Sequence, residues 1–215
     1  MQRWKNDASL HSCETVKEGH QVKKVLDYYG IYVDEFLNSD PIQDWESIER
    51  CKELWWWSLN ILGNKEASDW DVLDCGSKDG QFPEYLVDRV KSVIGIEISQ
   101  DYVKYAAEKG RPIAYGDVCN MKSEWTDKFD CVFSHHLLGL VPDYWKALEE
   151  MLRVAKPGGY LITCNDVPGN PRKHYSFIED DEIFNDFTKE KDVQQIFSGC
   201  WNPIFPKEWV YIIEK

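Results

Sequence analysis

From residue 70 onward, short apolar runs alternate with amphipathic segments along the chain. The apolar runs predict strands over 71–74, 92–98, 112–115, 129–134 and 160–164. Apolar positions spaced three or four residues apart predict helices over 82–90, 102–109 and 144–155. Strands that alternate with helices form a mostly parallel sheet, because each crossover helix packs back onto a face of that sheet. The pattern therefore predicts a doubly wound α/β fold.

The chain before residue 70 has helical patterning and no strong strand. Apolar residues recur at helical spacing over 41–63 and predict an amphipathic helix of about six turns. Three successive tryptophans, 55–57, surround its axis, so one of them must point away from the apolar face. The others either pack against an upstream helix or form a wall over a ligand pocket. We expect an N-terminal helical extension over 1–69 and an α/β domain over 70–215.

The C-terminal part departs from strict alternation. The segment 177–187 is acidic and predicts a helix. Two further apolar runs, 194–197 and 209–213, are joined by a loop that contains Pro203 and Pro206. Runs of this kind pair as an antiparallel hairpin, which we expect at the edge of the sheet.

Charge and cysteine content restrict the function further. The net charge is −13 with a pI near 4.8, whereas nucleic-acid binding draws its affinity from basic surfaces, so no nucleic-acid partner is expected. The seven cysteines include no CxxC pair, and neither a disulfide framework nor a zinc site is expected. No signal peptide or membrane-spanning run is present, so we expect a cytoplasmic protein without a membrane partner.

The first predicted strand leads into a turn that contains two glycines and then into a helix. Asp74 ends the apolar run, and Gly76, Ser77, Lys78 and Gly80 follow it. Glycine tolerates positive φ and lets a ligand approach the backbone, and a helix start presents unpaired N–H groups. Because ligands of open α/β sheets bind at the carboxyl ends of the strands, this turn is a candidate binding loop.

Two acids follow the next two predicted strands. Glu97 lies 23 residues after Asp74, at the spacing where such folds place a carboxylate on ribose hydroxyls. Asp117, before Val118, is placed to accept a hydrogen bond from an exocyclic amine such as that of adenine. The two acids predict a site for a nucleoside.

Five ordered elements between residues 72 and 164 resemble the class I S-adenosylmethionine-dependent methyltransferases. They are Asp74 with Gly76 and Gly80, Glu97, Asp117, the run Phe129-Asp130 that opens a strand, and Leu152-Arg153-Val154-Ala155-Lys156-Pro157-Gly158-Gly159. The resemblance implies S-adenosylmethionine as the cofactor. The residues expected to bind it are Asp74, Gly76, Ser77, Lys78, Gly80, Glu97, Ile98, Asp117, Val118 and Ser134.

Lys78 departs from the family pattern, which has a third glycine at this position. Its ammonium either meets the carboxylate of the cofactor or projects into solvent. The departure affects cofactor binding and not the fold.

The fourth predicted strand ends in Ser134-His135-His136, where such folds face the transferred methyl group. We take His135 and His136 as the candidate catalytic residues, because imidazole serves as a general base near neutral pH. The alternative is that the pair packs at the strand end. No metal is expected: Asn165-Asp166 follows the fifth strand, but the matching acid after the fourth, which metal-dependent O-methyltransferases use, is missing.

The expected function is methyl transfer to an oxygen or nitrogen atom of a small molecule. A cofactor-binding module without catalysis is an alternative that Lys78 keeps open. A nicotinamide-dependent oxidoreductase would share the sheet and the ribose acid, but its G-x-G-x-x-G pattern is absent from Gly76-Ser77-Lys78-Asp79-Gly80-Gln81. The acceptor molecule and the oligomeric state do not follow from the sequence.

Overall fold

The structure is a computed structural model that describes residues 41–63, 65–141, 143–166, 187–201 and 208–215. Its helices are α1 (Pro41–Ile61), α2 (Gln81–Leu86), α3 (Gln100–Glu108) and α4 (Tyr144–Val154). Its strands are β1 (Asp71–Cys75), β2 (Ser92–Glu97), β3 (Ile113–Tyr115), β4 (Phe129–His135), β5 (Ala155–Asp166), β6 (Gln194–Cys200) and β7 (Glu208–Glu214). The acidic helix predicted over 177–187 lies, except for its last residue, outside the described residues.

The seven strands form one sheet in the order β3-β2-β1-β4-β5-β7-β6. The first five in this order run parallel, and β7 pairs antiparallel with both β5 and β6. The predicted α/β fold with its antiparallel C-terminal hairpin is confirmed. The hairpin extends the sheet beyond β5, with β7 inside and β6 at the edge.

Helix α1 packs directly on one face of the sheet through Trp55. The Trp55 ring is 1% exposed and lies edge-on to Trp70, Phe82 and Phe133, with ring centres 6.1–6.2 Å apart. Trp56 is 50% exposed, as expected for the member of the triplet that leaves the apolar face. The wide tryptophan ring therefore joins α1 to the core of the α/β unit. The division of the chain after residue 69 stays a prediction.

The two largest differences between predicted and observed element boundaries are at the end of α2 and the start of β5. Helix α2 ends at Leu86 instead of residue 90, because Val87 and Arg89 donate to carbonyls only three residues back, which tightens the chain into turns. Strand β5 begins at Ala155 instead of residue 160. Ala155 pairs with Phe129 before an irregularity, where Gly158 has φ 75°, and Tyr160 then pairs with Cys131.

At the amino-terminal edge of the sheet, ion pairs join β1, β4 and β5. Lys156 Nζ lies 2.7 Å from Asp130 Oδ2 and 3.2 Å from Asp71 Oδ2. Hydrogen bonds from Lys91 and Ser92, together with the Lys156 ammonium, lower the pKa of Asp71 to about 2. The acid of the Phe-Asp element and the lysine of the Lys-Pro-Gly-Gly element thus meet far from the carboxyl ends of the strands. In the part of the chain that is described, no helix is long and apolar enough to cross a membrane.

Candidate functional site

The glycine turn after β1 has a left-handed backbone at three positions. These are Gly76 with φ 76°, Lys78 with φ 49° and Gly80 with φ 80°. A Cβ atom on Gly76 would lie 2.8 Å from Leu137 Cδ1, and one on Gly80 would lie 2.8 Å from Ile113 Cγ2. Both glycines are therefore required by conformation and by close packing.

Lys78 adopts the conformation that the family's glycine adopts without steric cost. For a residue with a Cβ atom, left-handed backbone costs roughly 1–2 kcal/mol. Burial raises the pKa of Glu97 and of Cys51 and lowers that of His135; the Lys78 charge opposes the two rises and adds to the fall, so its ammonium is close enough to act on all three groups. Lys78 therefore has a strained backbone, and its ammonium lies near these three groups.

Glu97 joins the glycine turn to the end of β2. Its Oε2 accepts a hydrogen bond from Lys78 N at 2.9 Å, and its Oε1 accepts one from Ser99 N at 2.8 Å. Burial raises the pKa of this carboxyl, and the backbone donors oppose that rise. An ionised carboxylate has about four acceptor positions, so each oxygen retains capacity for a ligand hydroxyl.

Asp74 lies buried at the end of β1, 5% exposed. Burial raises its pKa to about 7; the nearby Glu97 adds to the rise and the Ser77 hydroxyl opposes it. The Ser77 hydroxyl also donates to the Asp74 carbonyl at 2.8 Å and closes the turn. The turn thus contains an acid that titrates near neutral pH.

The segment after β3 lies beside Glu97, at the same edge of the sheet. Tyr115 is the register partner of Glu97, and Gly116 N donates to the Glu97 carbonyl at 3.0 Å. Asp117 Oδ1 accepts from Cys119 N at 2.8 Å and orders its own loop. Val118, the next predicted residue, is 6% exposed.

At the end of β4, the two predicted catalytic histidines lie in different environments. Ser134 Oγ and His135 Nε2 are both shielded from solvent and have no hydrogen-bond partner among the described residues. Burial lowers the pKa of His135 well below its usual value, and His136, Arg50 and Lys78 lower it further. His136 has φ 54°, and its Nε2 lies 3.2 Å from Glu208 Oε1. His135 is therefore held neutral, while His136 faces a carboxylate.

A pocket opens between the glycine turn, α1 and the end of β4. Its lining residues are Ile48, Cys51, Asp74, Gly76, Ser77, Lys78, Asp79, Gln81, Phe82 and His135. Five of the twelve predicted site residues are among them. Glu97, Ile98, Asp117, Val118, Gly80, Ser134 and His136 lie outside this lining. Helix α1 contributes Ile48 and Cys51 to the lining, but none of its three successive tryptophans, so the wall-over-a-pocket interpretation of that triplet is not supported.

Sequence reasoning missed a cluster around Glu208, the first residue of β7. Glu208 is 3% exposed and accepts from Arg50 Nη1 at 3.1 Å through Oε1 and from Trp201 Nε1 at 2.9 Å through Oε2. The only signal was an acid directly before an apolar run. Asn165, by contrast, accepts from Leu138 N and donates to Thr163 Oγ1, which orders the chain after β4.

Residues 73–163 match the family model described as a methyltransferase domain. The chain is 29% identical over 110 residues to the demethylmenaquinone methyltransferase of Staphylococcus saprophyticus, a match that covers 48% of this chain and 46% of the relative. It is 31% identical over 94 residues to the tRNA (carboxymethyluridine(34)-5-O)-methyltransferase of Arabidopsis thaliana, which covers 42% of this chain and 22% of the relative. The chain thus spans less than half the length of these curated relatives.

Solved structures share the fold at low sequence identity. An S-adenosylmethionine-dependent methyltransferase from Thermotoga maritima aligns with a TM-score of 0.61 at 18% identity, over 89% of this chain and 99% of that one. One from Mesorhizobium loti aligns with a TM-score of 0.58 at 13% identity, over 70% and 93%. Residues 73–163 therefore resemble a methyltransferase domain, and the chain shares the fold of these two S-adenosylmethionine-dependent methyltransferases.

Proposed function

We propose that this chain transfers a methyl group from S-adenosylmethionine to an oxygen or nitrogen atom of a small molecule. The observation that carries the proposal is the pocket that begins at the glycine turn and ends at His135. A cofactor held by the turn would extend its reactive end toward the His135 imidazole. The methyltransferase domain match over 73–163 supports the same reaction class.

The residues at this edge fit the parts of the cofactor. Glu97 retains acceptor positions for the two ribose hydroxyls, and Asp117, next along the edge, is placed to receive the adenine amine. Gly76 lines the pocket and has no side chain, so the methionine part could approach its backbone closely. The Lys78 ammonium would then pair with the carboxylate of the cofactor.

The walls of the pocket favour a small, weakly charged acceptor. Ile48 and Phe82 supply apolar surface, and Cys51 is half-buried beside them. Ser134 Oγ and His135 Nε2 are buried polar atoms without partners among the described residues. Such atoms stabilise a ligand that supplies the missing hydrogen bonds. The net charge of −13 disfavours a polyanionic acceptor such as tRNA.

Methyl transfer places modest demands on the protein. The bound cofactor supplies a methyl group already activated by its sulfonium. The chain's own residues need to orient the acceptor atom in line and exclude water, which together lower the barrier substantially. His135 lies on the acceptor side and contacts the incoming molecule, and His136 is held behind it by Glu208.

A cofactor-binding module without turnover is the second candidate. It is favoured by one observation, the strained Lys78 in place of a glycine. The [4+2]-cyclase SpnF, whose solved structure aligns at 16% identity with a TM-score of 0.56, shows that this fold also occurs in a protein with a different activity. Turnover is what separates the two candidates.

The test is a methyl-transfer assay with S-adenosylmethionine carrying a labelled methyl group. The acceptors are a small-molecule extract and, in a separate arm, bulk tRNA. We expect S-adenosylhomocysteine to form together with a labelled small molecule, and the tRNA to remain unlabelled. Label in the tRNA alone would contradict the acceptor class, and cofactor binding without S-adenosylhomocysteine formation in either arm would favour the non-catalytic module.

In the same assay, His135→Ala should lower turnover by roughly 10²-fold or more, the scale expected for a group that acts on the reacting atoms. The cofactor Kd should change less than threefold. The matched control is Cys131→Ser, a buried residue of the same strand that does not line the pocket. Full turnover in the His135 variant would remove this residue from the acceptor side.

A further inference from the structure

Four side chains that carry metal-binding atoms converge where β4, β5 and β7 meet. His135 and His136 lie at the end of β4, Cys164 lies in β5, and Glu208 begins β7. One donor atom of each residue lies within 4.8 Å of the donor atoms of the other three. The proposed binding of the cofactor uses neither Cys164 nor Glu208.

Sheet register brings the cluster together. His135 and Cys164 are direct partners on the parallel strands β4 and β5, so their side chains leave the same face of the sheet. His136 follows with φ 54°, and its ring centre lies 4.2 Å from that of His135. Left-handed backbone at a residue other than glycine persists where the surrounding structure enforces it, commonly at ligand sites. Here it turns two successive imidazoles toward one point.

Two members of the cluster are buried and the two histidines are partly exposed, and one histidine nitrogen atom has no partner among the described residues. Cys164 is fully buried and Glu208 is 3% exposed. His135 Nε2 is shielded from solvent and forms no hydrogen bond within the described ranges. An unpaired buried polar atom is destabilising, and a ligand that pairs with it removes that cost.

Contacts behind the cluster fix the carboxylate. Arg50 Nη1 donates to Glu208 Oε1 at 3.1 Å, and Trp201 Nε1 donates to Oε2 at 2.9 Å. Hydrogen bonds of this kind orient the side chains that bind metals. They hold Glu208 toward the histidines before any ion arrives.

The donor set selects the type of ion. Two imidazole nitrogens, one thiolate and one carboxylate match the tetrahedral preference of Zn²⁺, whereas Ca²⁺ and Mg²⁺ bind oxygen atoms. With zinc bonds of about 2.0–2.3 Å, neighbouring donors of a tetrahedral site are roughly 3.3–3.8 Å apart. Donors that lie as far as 4.8 Å apart would therefore have to approach one another by about 1.0–1.5 Å.

We propose that His135, His136, Cys164 and Glu208 bind one Zn²⁺ ion. On binding, a Zn–S bond forms, the Cys164 S–H bond breaks and its proton leaves to solvent, with no change in oxidation state. The proposal differs from the expectation drawn from cysteine spacing, because the ligands come from three strands and no CxxC pair is involved. Ion binding does not depend on methyl transfer. If the proposed function holds, the ion lies at the acceptor end of the pocket, since His135 borders both.

The test titrates Co²⁺, a spectroscopic substitute for Zn²⁺, into tag-free protein previously treated with chelator. We expect one Co²⁺ per chain, visible absorption typical of tetrahedral Co²⁺, a near-ultraviolet thiolate-to-cobalt band, and displacement by Zn²⁺. Cys164→Ser should lose the thiolate band. Cys131→Ser is the matched control: Cys131 is an equally buried cysteine on β4, four residues and roughly 13 Å along the strand from His135.

Thermal unfolding of the same proteins supplies a second measurement that needs no acceptor. Zn²⁺ should raise the Tm of wild type and Cys131→Ser in proportion to the logarithm of its concentration, because an ion bound only by the folded state stabilises it. His135→Ala should lower Zn²⁺ affinity at least tenfold. Stoichiometric binding that survives in Cys164→Ser with its thiolate band, or the absence of binding at micromolar ion in wild type, would overturn the proposal. Neither result would bear on the methyl-transfer assay.

Discussion

Lys78 and Glu97 contact each other at the edge of the sheet where the parallel strands end. Lys78 has a strained backbone, and Glu97 has acceptor positions for a ligand. Lys78 accepts a left-handed backbone, and its N–H group is held by the Glu97 carboxylate at 2.9 Å. The shared edge of Glu97 and Asp117 could be predicted from their positions after predicted strands, because carboxyl ends of parallel strands share one edge; their roles toward the cofactor stay predictions. The strain at Lys78 could also be anticipated, since a family glycine at that position signals positive φ.

Replacing Lys78 by glycine and by alanine separates its two properties. Both changes remove the ammonium, and both should weaken cofactor binding and reduce its dependence on salt. Only glycine relieves the left-handed strain, so Lys78→Gly should be more stable than Lys78→Ala by roughly 1 kcal/mol in urea unfolding. Equal stabilities would contradict the backbone assignment, and wild-type affinity with wild-type salt dependence in both variants would assign the side chain to solvent.

Glu97→Ala should weaken binding of S-adenosylhomocysteine by roughly 1.5–3 kcal/mol, the scale for hydrogen bonds to a charged acceptor. Calorimetry measures the change directly. The control is Glu108→Ala, an acid on the exposed side of α3 whose removal alters the net charge equally. A folded Glu97 variant with unchanged affinity would place the ribose elsewhere.

The buried Asp74 predicts a pH-dependent stability. Its pKa is about 7 in the folded chain against an ordinary 3.8, so the folded state binds the proton more tightly. The protonated acid favours folding at low pH, and this advantage is lost as the pH rises through 7. Asp74→Asn, which stays neutral, should therefore gain about 2 kcal/mol relative to wild type between pH 5 and pH 8. Urea unfolding at both values measures it, and a constant difference between the two proteins would contradict the raised pKa.

At the scale of elements, hydrophobic periodicity identified the strands of the sheet and the antiparallel hairpin. It placed the end of α2 too late, because Val87 continues the apolar pattern while its side chain is 51% exposed. It placed the start of β5 too late, because the Lys-Pro-Gly-Gly segment has turn residues that nevertheless pair beside β4. Local patterns do not reveal pairing across strands, so boundaries of this kind depend on tertiary contacts.

The two adjacent tryptophans of α1 provide a matched pair for its packing. Trp55→Ala should destabilise the fold by roughly 3–5 kcal/mol, because a large ring is removed from the contact with Trp70, Phe82 and Phe133. Trp56→Ala should cost about 1 kcal/mol or less, since its exposed ring mainly hydrogen-bonds to Tyr85 Oη at 2.8 Å. Chemical unfolding of both variants measures the difference. Similar losses would contradict the packing of α1 on the sheet.

At the scale of the whole molecule, stabilising ion pairs and the candidate functional site lie at opposite ends of the strands. Ion pairs of Asp71, Asp130 and Lys156 lie at one end of the strands, and the glycine turn, Glu97 and the histidines lie at the other. That the glycine turn, Glu97 and the histidines share one end of the strands could be predicted from the order of the motifs. The cluster around Glu208 could not, because Arg50, His136 and Glu208 are separated by 72 to 158 positions and meet only through the sheet order.

The most direct test of the account is a crystal structure of the chain with S-adenosylhomocysteine bound. We predict that the ribose hydroxyls lie within hydrogen-bond distance, about 3 Å, of the Glu97 carboxylate. The amino-acid part should follow the turn at Gly76 and Lys78, and the sulfur should face His135. A ligand bound elsewhere, or in this pocket with its ribose away from Glu97, would contradict the account.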